Sequence, residues 1–194
     1  MTDWGRVTRC AAVAIGATAL LAGCNDSGGT SGANSSAAAP TSTIAASVPT
    51  AIDPCQLPQS VVTAEHLDRS DDQATEQDGD GGAKWRDCGW GAYEGDGYGL
   101  NVSVTNVTVP MVEANKKFTV TEHLTISGRE AVTYHRADIA DSHGECLIHL
   151  ALKDGGLELT VTNPPERKAT GNLDSCEIAK KLGKEIAQSI PATA

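Results

Sequence analysis

Five residues of metal-ligating type, His135, Asp138, Asp141, His143 and His149, fall close together in the second half of the chain. A zinc site needs three or four such groups to converge, each steered by a further hydrogen bond. Here His143 stands in a Ser142-His143-Gly144 turn, and His149 alternates with the polar positions of a strand pattern. Both therefore read as loop and surface histidines, with no metal site. Ser142 and His143 are adjacent but lack the Gly-x-Ser-x-Gly turn that would expose a serine nucleophile. A second acidic group, Glu76, Asp78, Asp80 and Gly81 with Asp87 further on, imitates the spacing of a calcium loop. Its first position should be Asp, its last a bidentate Glu, and no helix pair flanks it, so a solvated acidic loop from Asp71 to Gly82 is the reading taken. No catalytic set and no cofactor emerges.

The six cysteines sort by position. Arg6 and Arg9 precede an uncharged, mostly apolar run from Cys10 to Leu21, the order of a secretory signal. As a helix that run would rise only ~18 Å, short of the ~30 Å of hydrocarbon in a bilayer. Leu21-Ala22-Gly23-Cys24 then resembles the lipobox of bacterial lipoproteins, in which the cysteine sulfur receives a diacylglycerol and becomes the first residue of the mature chain. Residues 1–23 are thus expected to be a signal peptide, with Cys24 lipidated at the extracytoplasmic face of the cell membrane. Cys10 leaves with the signal. Cys55, Cys88, Cys146 and Cys176 remain, with no Cys-x-x-Cys pair, and in an exported domain they read as disulfides.

Charge excludes one class of partner. The 194 residues carry a formal charge of −10. Loss of Asp3, Arg6 and Arg9 with the signal leaves −11. An acidic chain without a Lys/Arg cluster does not suit nucleic acid.

Residues 24–50 form the lipidated cysteine and a Ser/Ala/Thr/Gly-rich linker, and 51–194 one domain. As a coil the linker would reach ~25 to 30 Å. The domain opens on Asp53-Pro54-Cys55-Gln56, a capped turn, followed after Pro58 by a helix through Val61, Val62, Ala64 and Leu67. The same grammar returns at Asp174-Ser175-Cys176-Glu177, where Ile178, Leu182, Ile186 and Ile190 recur at spacing four and predict a helix lying on a sheet. Between them, Leu100, Val102 and Val104 alternate with polar residues and continue through Val107 and Val109 to Pro110, as a strand with one wet face. A short helix is expected within Met111 to Phe118, and a turn at Ser127-Gly128 leads into another strand. Cys146 to Leu152 and Leu157 to Val161 alternate about an Asp-Gly turn, the clearest hairpin. Each helix start carries one cysteine and each of two strands another. Pairing sequence neighbours gives Cys55 with Cys88 and Cys146 with Cys176, each closing a loop worth ~3 to 4 kcal/mol.

Trp85, Trp90, Tyr93 and Tyr98 hold most of the aromatic content. Trp90, two residues from Cys88, shares its face and reads as core beside the bridge. Trp85, Tyr93 and Tyr98 are the candidate binding surface, for sugar stacking or a protein partner.

With Asp53-Pro54-Cys55, Cys88-Gly89-Trp90, Gly128-Arg129 and Ala131, and a last amphipathic helix behind a lipobox, the chain resembles an actinobacterial lipoprotein family catalogued as domain of unknown function 3558. The likeness runs from Asp53 to Ile190. It implies an anchored extracytoplasmic α+β domain and brings no catalytic residues. The expected fold is therefore α+β, an antiparallel sheet of about five to six strands packed by an N-terminal and a C-terminal helix and held by two disulfides. The expected function is a non-catalytic envelope module that binds a protein or small ligand. A carrier holding a lipid or other apolar ligand between sheet and helices is the alternative, and a hydrolase or metal-dependent enzyme the third. Intact mass of protein taken from its own membranes should show a diacylated Cys24 as the first residue; an unmodified Cys24 would refute the anchor.

Overall fold

Antiparallel pairing of sequence neighbours builds most of this domain, because tight turns join its longest strands. The computed structural model describes residues 43–139 and 143–194. Cys24, the signal segment, most of the linker, Asp141 and Ser142 lie outside these.

The elements run α1 (Gln59–Ala64), β1 (Leu67–Arg69), β2 (Thr75–Asp78), β3 (Lys84–Ala92), β4 (Gly99–Thr105), α2 (Val109–Ala114), β5 (Phe118–Ile126), β6 (Arg129–Arg136), β7 (Glu145–Leu152), β8 (Gly155–Thr162) and α3 (Ser175–Ala187). Among the described residues, eight strands form one antiparallel sheet in the order β1-β3-β4-β8-β7-β6-β5, with β2 also on the outer side of β3. The α+β expectation stands, but eight strands replace the five to six read from sequence. The additional ones are short or polar. β1 has three residues, β2 is exposed throughout, and β5 alternates mostly exposed Thr, Glu and His along a sheet edge. β1 and β2 are too short or too polar to show a period-two signal, whereas β5 does carry Phe118, Val120, Leu124 and Ile126 at even spacing, across a register shift between Val120 and Glu122.

Three boundaries also move. Leu67 opens β1, because α1 ends at Ala64 and His66, at φ 50°, turns the chain. The strand at Leu100 stops at Thr105, and Val109 with Pro110 begins α2, where proline's missing N–H costs nothing in the first turn. Residues Thr75–Asp78 of the acidic stretch pair with β3 instead of standing free as a loop. The β5–β6 hairpin turns on Ser127 and Gly128, both left-handed at φ 51° and 77°, as a two-residue loop of the primed type requires.

One sheet face is apolar. Val102, Val104, Ile148, Leu150, Leu157 and Leu159 are buried there beneath Ile178, Leu182 and Ile186 of α3. Both disulfides lie on this side, Cys55–Cys88 and Cys146–Cys176, and Trp90 donates from Nε1 to the Pro54 carbonyl at 3.1 Å beside the first. The α3 start is capped by Asp174, whose Oδ1 accepts from the N–H of Cys176 (2.9 Å) and of Glu177 (3.1 Å), while His143 Nδ1 lies 3.0 Å from Oδ2.

Residues 43–52 cross one end of the sheet as a strap. Ile52 packs with the α3-side core. The Arg86 guanidinium donates to the Ile52 carbonyl at 2.7 Å, and Asn106 Nδ2 to that of Ala45 at 2.6 Å. Packing of the described residues therefore reaches back at least to Ile44, inside the stretch whose composition reads as linker.

Asp174→Ala should lower stability by about 1 kcal/mol in urea denaturation, through loss of the cap. Partial burial raises the Asp174 carboxyl, but the His143 ring and the two N–H groups outweigh it and hold the carboxyl below its usual range. A depressed carboxylate stabilises the fold above its ordinary titration range and loses that contribution as pH falls through the folded-state value. The wild-type advantage over the alanine variant should accordingly shrink in acid; an advantage that grows there would contradict this account.

Candidate ligand pocket

The second face of the sheet carries polar side chains and yet is buried. One cross-strand row runs Asp87, Ser103, Glu158, His149 and Val132, from β3 through β4, β8 and β7 to β6. Ser103 is 2% exposed and His149 fully buried. The wet face expected of β4 is dry, because α2, the chain leading into it and the strap lie over this side. Val109 and Val112 of α2 pack on Val132, Tyr134 and Leu147.

Buried polar groups must find partners, and all but one of these polar atoms do, Asp87 Oδ1 being buried without a hydrogen bond. The Tyr134 hydroxyl donates to Glu158 Oε2. His149 Nε2 lies 3.1 Å from the Val107 carbonyl, so that nitrogen carries the proton, and Nδ1 faces Glu158 Oε2 at 3.5 Å. The imidazole lies directly over Gly156; a Cβ built there would stand 2.0 Å from Nε2. Burial, and then the charge and hydrogen bond of Glu158, push the Tyr134 hydroxyl far above its ordinary value. Gln77 Nε2 donates to Asp87 Oδ2 at 2.8 Å. Burial raises the Asp87 carboxyl; the Ser103 hydroxyl opposes this, and the charge of Glu158 adds to it.

Glu158 opens into a cavity of about 460 Å³. Ile44 of the strap, Ala83 and Trp85 line one side, Val107, Met111 and Val112 another, and Phe118 a third. Asp80, Asn115 and Lys117 add the polar lining. Trp85 is placed by Gly79, where a Cβ would meet its ring at 2.5 Å. A mostly apolar cleft with one inward carboxylate is the usual form of a small-molecule site.

The family model described as Protein of unknown function (DUF3558) matches residues 19–189, most of the chain. The chain belongs to this family. No curated protein and no solved structure matches it.

In this DUF3558 domain the three aromatics read as a surface do not come together. Trp85 lines the pocket near the start of β3. Tyr93 lies past the other end of β3, 40% exposed, with its ring 4.7 Å from that of His66 in an open groove. Tyr98 is 2% exposed in the α3-side core and donates to Glu65 Oε2 at 3.2 Å, a carboxylate also held by Lys181. The histidines separate too. His149 is in the interior instead of on the surface, and His143 sits at the start of α3. No group of three or more His, Cys, Asp or Glu among the described residues is placed to hold a metal ion. Glu158, Tyr134 and Asn106 escape a reading by pattern. Glu158 sits between Leu157 and Leu159 like any solvent-facing strand residue, although counting back from the Lys153-Asp154 turn puts His149 opposite it.

Gly156→Ala should expel the His149 ring from the Val107 carbonyl and lower stability by about 2 kcal/mol. Gly99→Ala, whose Cβ would meet nothing closer than 3.9 Å, should change it by less than about 0.5 kcal/mol. Equal effects in chemical denaturation would show that the imidazole does not depend on the glycine.

Proposed function

We propose that the protein is a non-catalytic, lipid-anchored binding module of the cell envelope that holds a small, largely apolar ligand in the pocket between the sheet and α2. The observation that carries the reading is the cavity bounded by Ile44, Trp85, Val107, Met111 and Phe118, into which Glu158 opens. Anchoring rests on the lipobox at Cys24 and the preceding signal pattern. No helix among the described residues is long and apolar enough to cross a membrane. Cargo would thus enter a domain tethered by its upstream chain.

The test is displacement of an environment-sensitive apolar dye. Met111 is half-buried and lines the cavity, so Met111→Trp fills it without adding a charge. Dye affinity should fall about tenfold or more while the unfolding midpoint holds. Unchanged affinity would remove the pocket as the site.

A second reading has its own observation. Tyr93 is exposed, stacks on His66, and both are held in left-handed backbone at φ 54° and 50°, a strain that functional surfaces tolerate. That groove would serve a protein or sugar partner. Tyr93→Ala should leave dye binding untouched, so the two surfaces can be assessed separately.

A further inference from the structure

We infer that the head group taken by this pocket is a cationic ammonium carried on an apolar body, an inference that rests on the pocket reading above. The two oxygens of Glu158 stand in different surroundings. Oε2 is engaged by the Tyr134 hydroxyl, with His149 Nδ1 at 3.5 Å. Oε1 receives no hydrogen bond from any described residue, and it is not among the sealed polar atoms left without a partner. It is the open face of a carboxyl that lines the cavity.

Neither neighbour closes the carboxylate off, and only Tyr134 donates to it. Tyr134 contributes a neutral O–H dipole, and His149 has one nitrogen committed to the Val107 carbonyl and the other beyond good hydrogen-bond range of Glu158. A carboxylate facing an apolar cavity is costly unless a donor or counter-charge meets it. Among the charged residues lining the cavity, Asp80 and Glu158 are acidic and Lys117 alone is basic. Asp87 adds a second carboxyl behind Glu158, close enough for the two to feel each other's charge. An ammonium satisfies Oε1 by hydrogen bond and charge together, an alcohol by hydrogen bond only, and a carboxylate ligand meets repulsion. The apolar remainder of the ligand lies against Trp85, Met111 and Phe118.

The experiment titrates the full-length protein calorimetrically with decylamine, decanol and decanoate, three probes with the same tail and different heads, the two ionic ones kept below their micelle concentrations and decanol below its solubility limit. Decylamine should bind about tenfold more tightly than decanol, with decanoate weakest. Raising salt should narrow the gap, as for any charge pair reached by solvent. In Glu158→Gln, which keeps the shape and the oxygen that Tyr134 meets, the amine should lose its advantage while decanol affinity holds. Decanol binding as well as the amine to wild type, a preference for decanoate, or an amine advantage surviving in Glu158→Gln would each overturn the ammonium and leave the apolar pocket standing. Failure of all three probes to bind would overturn both. The wild-type comparison needs no variant, so poor folding of Glu158→Gln would not rescue the idea.

Discussion

The side-chain amide of Asn106 holds together three pieces of chain that no strand pairing would unite. It is fully buried. Its Nδ2 donates to the carbonyls of Ala45 and Gly82, and its Oδ1 accepts from the N–H of Lys84. The strap, the turn between β2 and β3, and the entry to β3 therefore meet on one residue at the end of β4. A buried amide with most of its hydrogen-bonding capacity used in this way specifies a geometry, because any shift leaves a polar atom dry and unpaired. Ile44, Ala83 and Trp85 are the neighbours of those three anchor points and line the same side of the cavity. The pocket is thus a consequence of how the strap and turn are tied.

The sheet treats its two faces differently, and strand alternation makes that possible. Leu157 and Leu159 point toward α3 while Glu158 between them points to α2, and Ile148 and Leu150 flank His149 in the same way. The apolar face supplies the area-driven stability of the domain. The polar face is covered by a helix of only six residues and a stretch of extended chain, which bury Ser103 and His149 yet leave a cavity beside Glu158. A carboxylate and an imidazole could then be kept in a largely dry setting only because Tyr134, Val107 and the missing side chain of Gly156 accommodate them.

Much of this was legible in the sequence where one face of an element did all the burying. The helix at Asp174 announced itself by its cap and by apolar residues at spacing four, and the Cys146 to Val161 hairpin by clean alternation. The cysteine positions on those elements led to the pairing that the structure contains. What alternation cannot say is whether the polar side of a strand faces water or another layer. Ser103, His149 and Glu158 look the same in either case, so the buried row was invisible until α2 and the strap were in place. β2 is the converse case, an edge strand of exposed, polar side chains with no apolar period, whereas β5 does carry Phe118, Val120, Leu124 and Ile126 at even spacing. Tyr98 reads from sequence as part of a binding surface, yet it is buried and its hydroxyl meets Glu65 thirty-three positions earlier.

Both disulfides fasten the apolar side of the sheet, one joining β3 to the turn before α1, the other β7 to α3. No covalent crosslink among the described residues reaches α2 or the strap. The molecule is consequently stapled along one side and only hydrogen-bonded and packed along the other. Fluctuations that leave the bridged half intact can part α2 from the sheet, since the free energy of local opening depends on the contacts of that segment alone. The side that holds the cavity is therefore the one the bridges leave uncrosslinked, kept shut by the packing of α2 and the hydrogen bonds of the strap.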